Sequence, residues 1–148
     1  MQPKPTIPVS NLKMKNKFFI ALALLTLPMI TFSQRTLRIE IEGLRNSCGQ
    51  MQLELKNEKE KQIKVVTKSI SNNICIIFIE DIKSGKYGFI FFHDENNNEK
   101  LDVNGLGIPK EGFGYSNNPK NYFGPPSFNK TIFELTDSKI VKCKITYF

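Results

Sequence analysis

This sequence predicts a single all-β domain, a β-sandwich of about seven strands. Three observations predict it. Apolar and polar residues alternate with a period of two over most of residues 37–147. No stretch carries the 3.6-residue periodicity of an amphipathic helix. Turn-forming glycine, proline and asparagine punctuate the alternating runs. The expected architecture is immunoglobulin-like or transthyretin-like, with one long ordered loop.

The elements follow in order. Leu37, Ile39 and Ile41 alternate with Arg38, Glu40 and Glu42, the signature of a strand with one buried face. Residues 43–49 turn the chain, and Met51, Leu53 and Leu55 then alternate with Gln52, Glu54 and Lys56. Residues 57–62 read as a charged loop and 63–68 as a short edge strand, its lysines discouraging edge pairing. Residues 74–79 and 86–92 are apolar on both faces, which places both strands in the middle of an assembly, covered above and below. Residues 131–135 form a short strand. Val141, Cys143, Ile145 and Tyr147 alternate with Lys142, Lys144 and Thr146 in a closing strand. The expected core is Leu37, Ile39, Ile41, Leu53, Ile77, Ile79, Phe89, Val141, Ile145 and Tyr147.

The net charge of +7 is concentrated at one end. Four lysines and no acid lie in residues 1–33, and without that segment 17 basic residues face 14 acidic ones, a net +3. No basic stripe interleaved with aromatics remains, so nucleic acid is not the expected partner. The segment itself reads as an export signal. Lys15 and Lys17 precede an apolar run from Phe18 to Phe32, and Thr31 and Ser33 offer the small residues of a cleavage site. The run is shorter than the ~20 residues of a membrane-spanning helix. The expected domains are thus residues 1–33, extension and signal, and 34–148, one sandwich, exported to the periplasm or cell surface and not membrane-spanning after cleavage. Export permits disulfides. Of Cys48, Cys75 and Cys143, the first sits in a turn and the other two among apolar strand residues. An odd count leaves one thiol over, and a Cys48–Cys143 bridge is one expectation beside no bridge at all.

One segment breaks the rhythm. Glycine, proline and asparagine make up 16 of the 34 residues 95–128, yet Phe113, Tyr115, Tyr122, Phe123 and Phe128 give it aromatic mass to bury. It reads as an ordered functional loop over one end of the sandwich. At its start Asp94, Asn96, Asn98 and Asp102 place side-chain oxygens at relative positions one, three, five and nine, and Lys100 can add its carbonyl at position seven. Calcium takes six to eight oxygen ligands from such an alternation. The glycine wanted at position six is Glu99, however, and the glutamate wanted at position twelve is Gly105, with Glu111 further along. The alternative is a turn whose side chains cap its own amides. A hydrolase reading would use His93, Asp94 and Glu111, or a triad with Ser116, but no spacing rule supports it.

These residues resemble a family. Ile82 with Gly85 and Tyr87, the run 93–96 (His-Asp-Glu-Asn), 107–112 (Gly-Ile-Pro-Lys-Glu-Gly), 114–117 (Gly-Tyr-Ser-Asn) and 124–128 (Gly-Pro-Pro-Ser-Phe) look like the ordered motifs of the secreted bacterial family catalogued as domain of unknown function 2141. The resemblance implies export and an all-β domain, and it implies no activity. Asn97 and Glu99 stand where relatives often have glycine, which removes permissive residues from the candidate calcium turn. The expected function is therefore a non-catalytic envelope protein that binds a surface protein, a glycan or another copy of itself through residues 94–128, with calcium as a candidate stabiliser. The alternative is a secreted hydrolase.

Overall fold

The computed structural model describes residues 35–120 and 124–148. The expected export signal lies outside the described residues, as do Tyr122 and Phe123. Among the described residues, eight strands form two sheets. In the first, β1 (Leu37–Glu42) lies between β4 (Cys75–Ile79), antiparallel to it, and β8 (Lys139–Lys144), parallel to it. In the second, β2 (Gln50–Asn57) and β5 (Gly85–Asp94) form the centre. β3 (Gln62–Ser69) pairs β2, while β6 (Phe113–Tyr115) and β7 (Phe133–Leu135) share the other side of β5.

The period of two does what the sequence predicts. Leu37, Ile39 and Ile41 from one sheet, and Leu53, Leu55, Phe89 and Phe91 from the other, enter one buried cluster with Ile77, Val141 and Cys143. Two sheets on one core make the sandwich. Every expected core residue is buried except Tyr147, which packs against the cluster from its margin. At that margin Phe113 and Thr146 exchange both backbone hydrogen bonds, tying β6 to the segment that follows β8. Among the described residues, no helix is long and apolar enough to cross a membrane.

Two expectations are corrected. Residues 74–79 are not central: β4 is a sheet edge, with Phe78 54% exposed, because β1 takes the middle of a sheet only three strands wide. The loop 95–128 holds its own strand, β6, and a 3-10 turn, Phe128–Thr131, which takes the first residue expected of the strand that became β7. The Cys48–Cys143 bridge is not formed. Cys48 is exposed, whereas Cys143 is buried. Cys75 and Cys143 both stand in register with Ile41, on opposite sides of β1. Two strand spacings, roughly 9–10 Å, separate them, beyond the reach of a disulfide. Burial pushes the Cys75 thiol up to about 11 and the Cys143 thiol up to about 12, which keeps both protonated and unreactive.

Candidate functional site

The acidic loop starts where β5 runs out of partners. Register sets Asp94 opposite Gln50 and His93 opposite Met51, so the pleat turns His93 inward and Asp94 outward. Both are nevertheless fully buried. The turn before β2 passes directly over them. Gly49 adopts φ +67°, and a β-carbon there would fall inside the carbonyl oxygen of Asp94, so only glycine permits the approach. That approach brings the Cys48 carbonyl to 2.7 Å from His93 Nε2. A carbonyl only accepts, so in the neutral ring Nε2 carries the hydrogen and Nδ1 accepts from the Tyr147 hydroxyl at 2.8 Å.

Two buried carboxylates organise the loop. Asp94 accepts the amide of Asn98 on Oδ1 (3.0 Å), and on Oδ2 the amide of Glu99 (2.9 Å) and the side chain of Gln50 (3.3 Å). Burial by itself would raise its pKa. The donated hydrogen bonds, led by the Glu99 amide, outweigh it and hold the carboxyl below the usual range. Glu111 accepts the Glu95 amide on Oε1 (2.9 Å) and the Asp102 amide on Oε2 (3.0 Å), clamping the two ends of the turn from one side chain. Glu95 turns the other way and forms two hydrogen bonds with Arg45, at 2.7 and 2.8 Å. The Arg45 guanidinium lies 4.7 Å from the centre of the Tyr147 ring. That hydrogen bond lowers the Glu95 carboxyl and raises Arg45.

The sign of the pH dependence follows. Both Asp94 and Glu95 have folded-state pKa values below their unfolded ones. They therefore add stability that is complete above about pH 4–5, where unfolded carboxyls ionise, and that fades as pH falls through the folded values. Denaturant midpoints measured against pH are expected to decline below about pH 4, and Asp94→Asn is expected to shallow that decline.

The structure brings together part of the predicted calcium set. Asn97 (φ 59°) and Glu99 (φ 63°) both adopt the left-handed conformation, so the chain makes the sharp turn without the glycines. Asn96 and Asn98 direct their side-chain amides at Asp102, at 2.7 and 3.1 Å. Asp94 and Asn96 share the amide of Asn98. Lys100 joins through its own amide, bonded to Asn98 Oδ1 at 2.8 Å. Among the described residues no three His, Cys, Asp or Glu side chains gather as a metal-holding group. The donor set is two carboxylates and two amides, and turning those amides over would present their oxygens beside Asp102.

Beyond Asp102 the loop becomes a projecting tip. Val103 pairs with Pro109, and the Asn104 side chain accepts the amides of Leu106 (2.9 Å) and Ile108 (3.0 Å). Leu106 is thereby held out at 86% exposure, with Val103 at 49% and Ile108 at 41%.

Ser116 and His93, two members of the expected triad, have separate partners. Ser116 is fully buried, accepting the Phe89 amide at 2.9 Å and donating to the Thr131 carbonyl at 2.6 Å, where it fills the gap between β6 and β7. Both His93 nitrogens are engaged with Tyr147 and Cys48. Sequence reasoning missed Arg45, Gln50 and Tyr147. Gln50 was findable from the pairing of β2 with β5, but nothing local to Arg45 or Tyr147 announces a partner some fifty residues away.

Residues 39–142 match the model of a family described as an uncharacterized protein conserved in bacteria (DUF2141). No curated protein and no solved structure matches the chain.

Proposed function

Because the chain belongs to this bacterial family, DUF2141, we propose that it is an exported, non-catalytic module of the cell envelope that holds a partner through the loop of residues 94–128. One observation carries the reading: an apolar tip, Val103, Leu106 and Ile108, stands exposed on a loop already ordered by buried Asp94 and Glu111. Pre-ordering lowers the entropy lost on binding, and exposed apolar side chains on a firm support supply the contact. A rigid tip of this kind fits an apolar depression on a surface protein or glycan. The experiment is retention of the purified protein on bacterial envelopes, wild type against Leu106→Asp. Leu106 supports nothing else in the fold, so melting stays unchanged, while retention is expected to fall at least about tenfold, the equivalent of ~1.4 kcal/mol. Equal retention would refute the tip as the contact.

Calcium is the candidate stabiliser of the same loop. With Asn96 and Asn98 turned over, Asp94, Asp102 and the two amide oxygens form a partial shell that water must complete. Such a shell suits the weak end of calcium affinities, about 10⁻⁴–10⁻³ M. At a tenfold excess over the dissociation constant, calcium would add about 1.4 kcal/mol of stability. The melting temperature is then expected to rise by roughly 5 °C and to return with a chelator. Asp102→Ala is expected to erase the rise. A melting curve indifferent to millimolar calcium would leave a self-capped loop with its tip unchanged.

A further inference from the structure

The outer face of the five-stranded sheet is not the polar surface that a solvated antiparallel sheet presents. Register aligns Thr67, Gln52, Phe92 and Phe113 in one cross-strand row, and Val65, Glu54, Ile90 and Tyr115 in the next. Phe113 meets Tyr115 edge-on at 6.1 Å and stacks on Phe148 at 5.7 Å. Phe148 is 79% exposed and Val65 54%, and the other four apolar residues are half-buried. Buried Asp94 closes one end of this face, and the 3-10 turn, which sets Phe128 and Thr131 against Gly88, closes the other. The outer face of the three-stranded sheet differs. There Arg38 separates Phe78 from Ile140 in register, and Glu40 separates Ile76 from Lys142.

We infer that the aromatic face of the five-stranded sheet packs against the same face of a second copy of the chain. Two features favour a copy. On this face of the central strands Glu54 pairs with Lys56 at 3.1 Å, and Lys86 and Asp94 add one charge of each sign at its two ends, so two such faces meet without net repulsion. Ile90, Phe92, Phe113, Tyr115 and Phe148 adjoin one another, Val65 lies beyond Glu54, and the six together expose on the order of 400 Å², within the range of the largest apolar patch on a protein surface. A standard interface takes ~800 Å² per partner, so the flanking polar side chains of β2 and β3 enter the contact as well. Two identical faces form a twofold, self-complementary contact. It covers the outer side of β5, leaving that strand apolar above and below, as its sequence requires.

The test is sedimentation equilibrium of the purified protein with exposed-residue variants, each checked for unchanged melting. Wild type is expected to dimerise below about 100 μM. Phe148→Ser and Val65→Lys are each expected to weaken association at least tenfold. Ile140→Lys, on the other sheet, and Leu106→Asp, on the tip, are expected to leave it unchanged, which separates this interface from the proposed partner contact. A wild type that stays monomeric to about 1 mM, face variants that associate like wild type, or a monomer that takes a polysaccharide on these rings would each overturn it.

Discussion

Phe91→Ala is expected to cost about 3–5 kcal/mol of stability, the range for emptying a buried aromatic site. Phe91 is fully buried at the centre of the sandwich, paired with Leu53 on one side and Gly114 on the other. Its ring occupies the space above Gly114, where a β-carbon would collide with it. That fit explains why β6 reads Phe-Gly-Tyr: the two rings face outward and the missing side chain admits Phe91. Removing the ring leaves a void that Gly114 cannot fill, so relaxation recovers little. Chemical denaturation with an unchanged m-value checks it. A loss below about 1 kcal/mol would mean that the β5–β6 register is wrong.

Glu111→Ala is the second large effect, and it acts on the site. The buried carboxylate accepts two backbone amides, those of Glu95 and Asp102. Hydrogen bonds to a charged group contribute about 1.5–3 kcal/mol each, and part of that returns when water reaches the freed amides. A net cost of about 2–4 kcal/mol is expected, together with loosening of residues 95–102. Glu111→Gln keeps one acceptor and is expected to lose about half as much.

The strands were legible wherever one face is buried, because the period of two survives in β1, β2 and the end of the chain. β6 was hidden for a physical reason: a three-residue strand with glycine at its middle shows no alternation among glycines and asparagines. β4 was misplaced because apolarity on both faces says only that something could cover a strand. Its outer Phe78 is half-exposed beside Arg38, whose guanidinium sits 5.6 Å from the ring centre. The oxygens of the acidic loop were visible in the sequence, but their direction was not. Asp94 faces the amides of Asn98 and Glu99, a choice set by Gly49 in the turn before β2 and by Gln50 at the start of that strand. The Glu111 carboxylate was noticed as a spare ligand, whereas in the fold it is the clamp that closes the loop.

Everything proposed for the loop rests on its being ordered by carboxylates carried on the fold before any partner arrives. Amide hydrogen exchange reads those bonds one by one. In the wild-type protein the amides of Glu95, Asn98, Glu99 and Asp102 are predicted to exchange slowly, as protected sites do. The exposed amide of Gly105, at the tip, serves as the fast reference. In Glu111→Ala, Glu95 and Asp102 should lose their protection first. Exchange of all four amides in the wild type as fast as Gly105 would contradict the account.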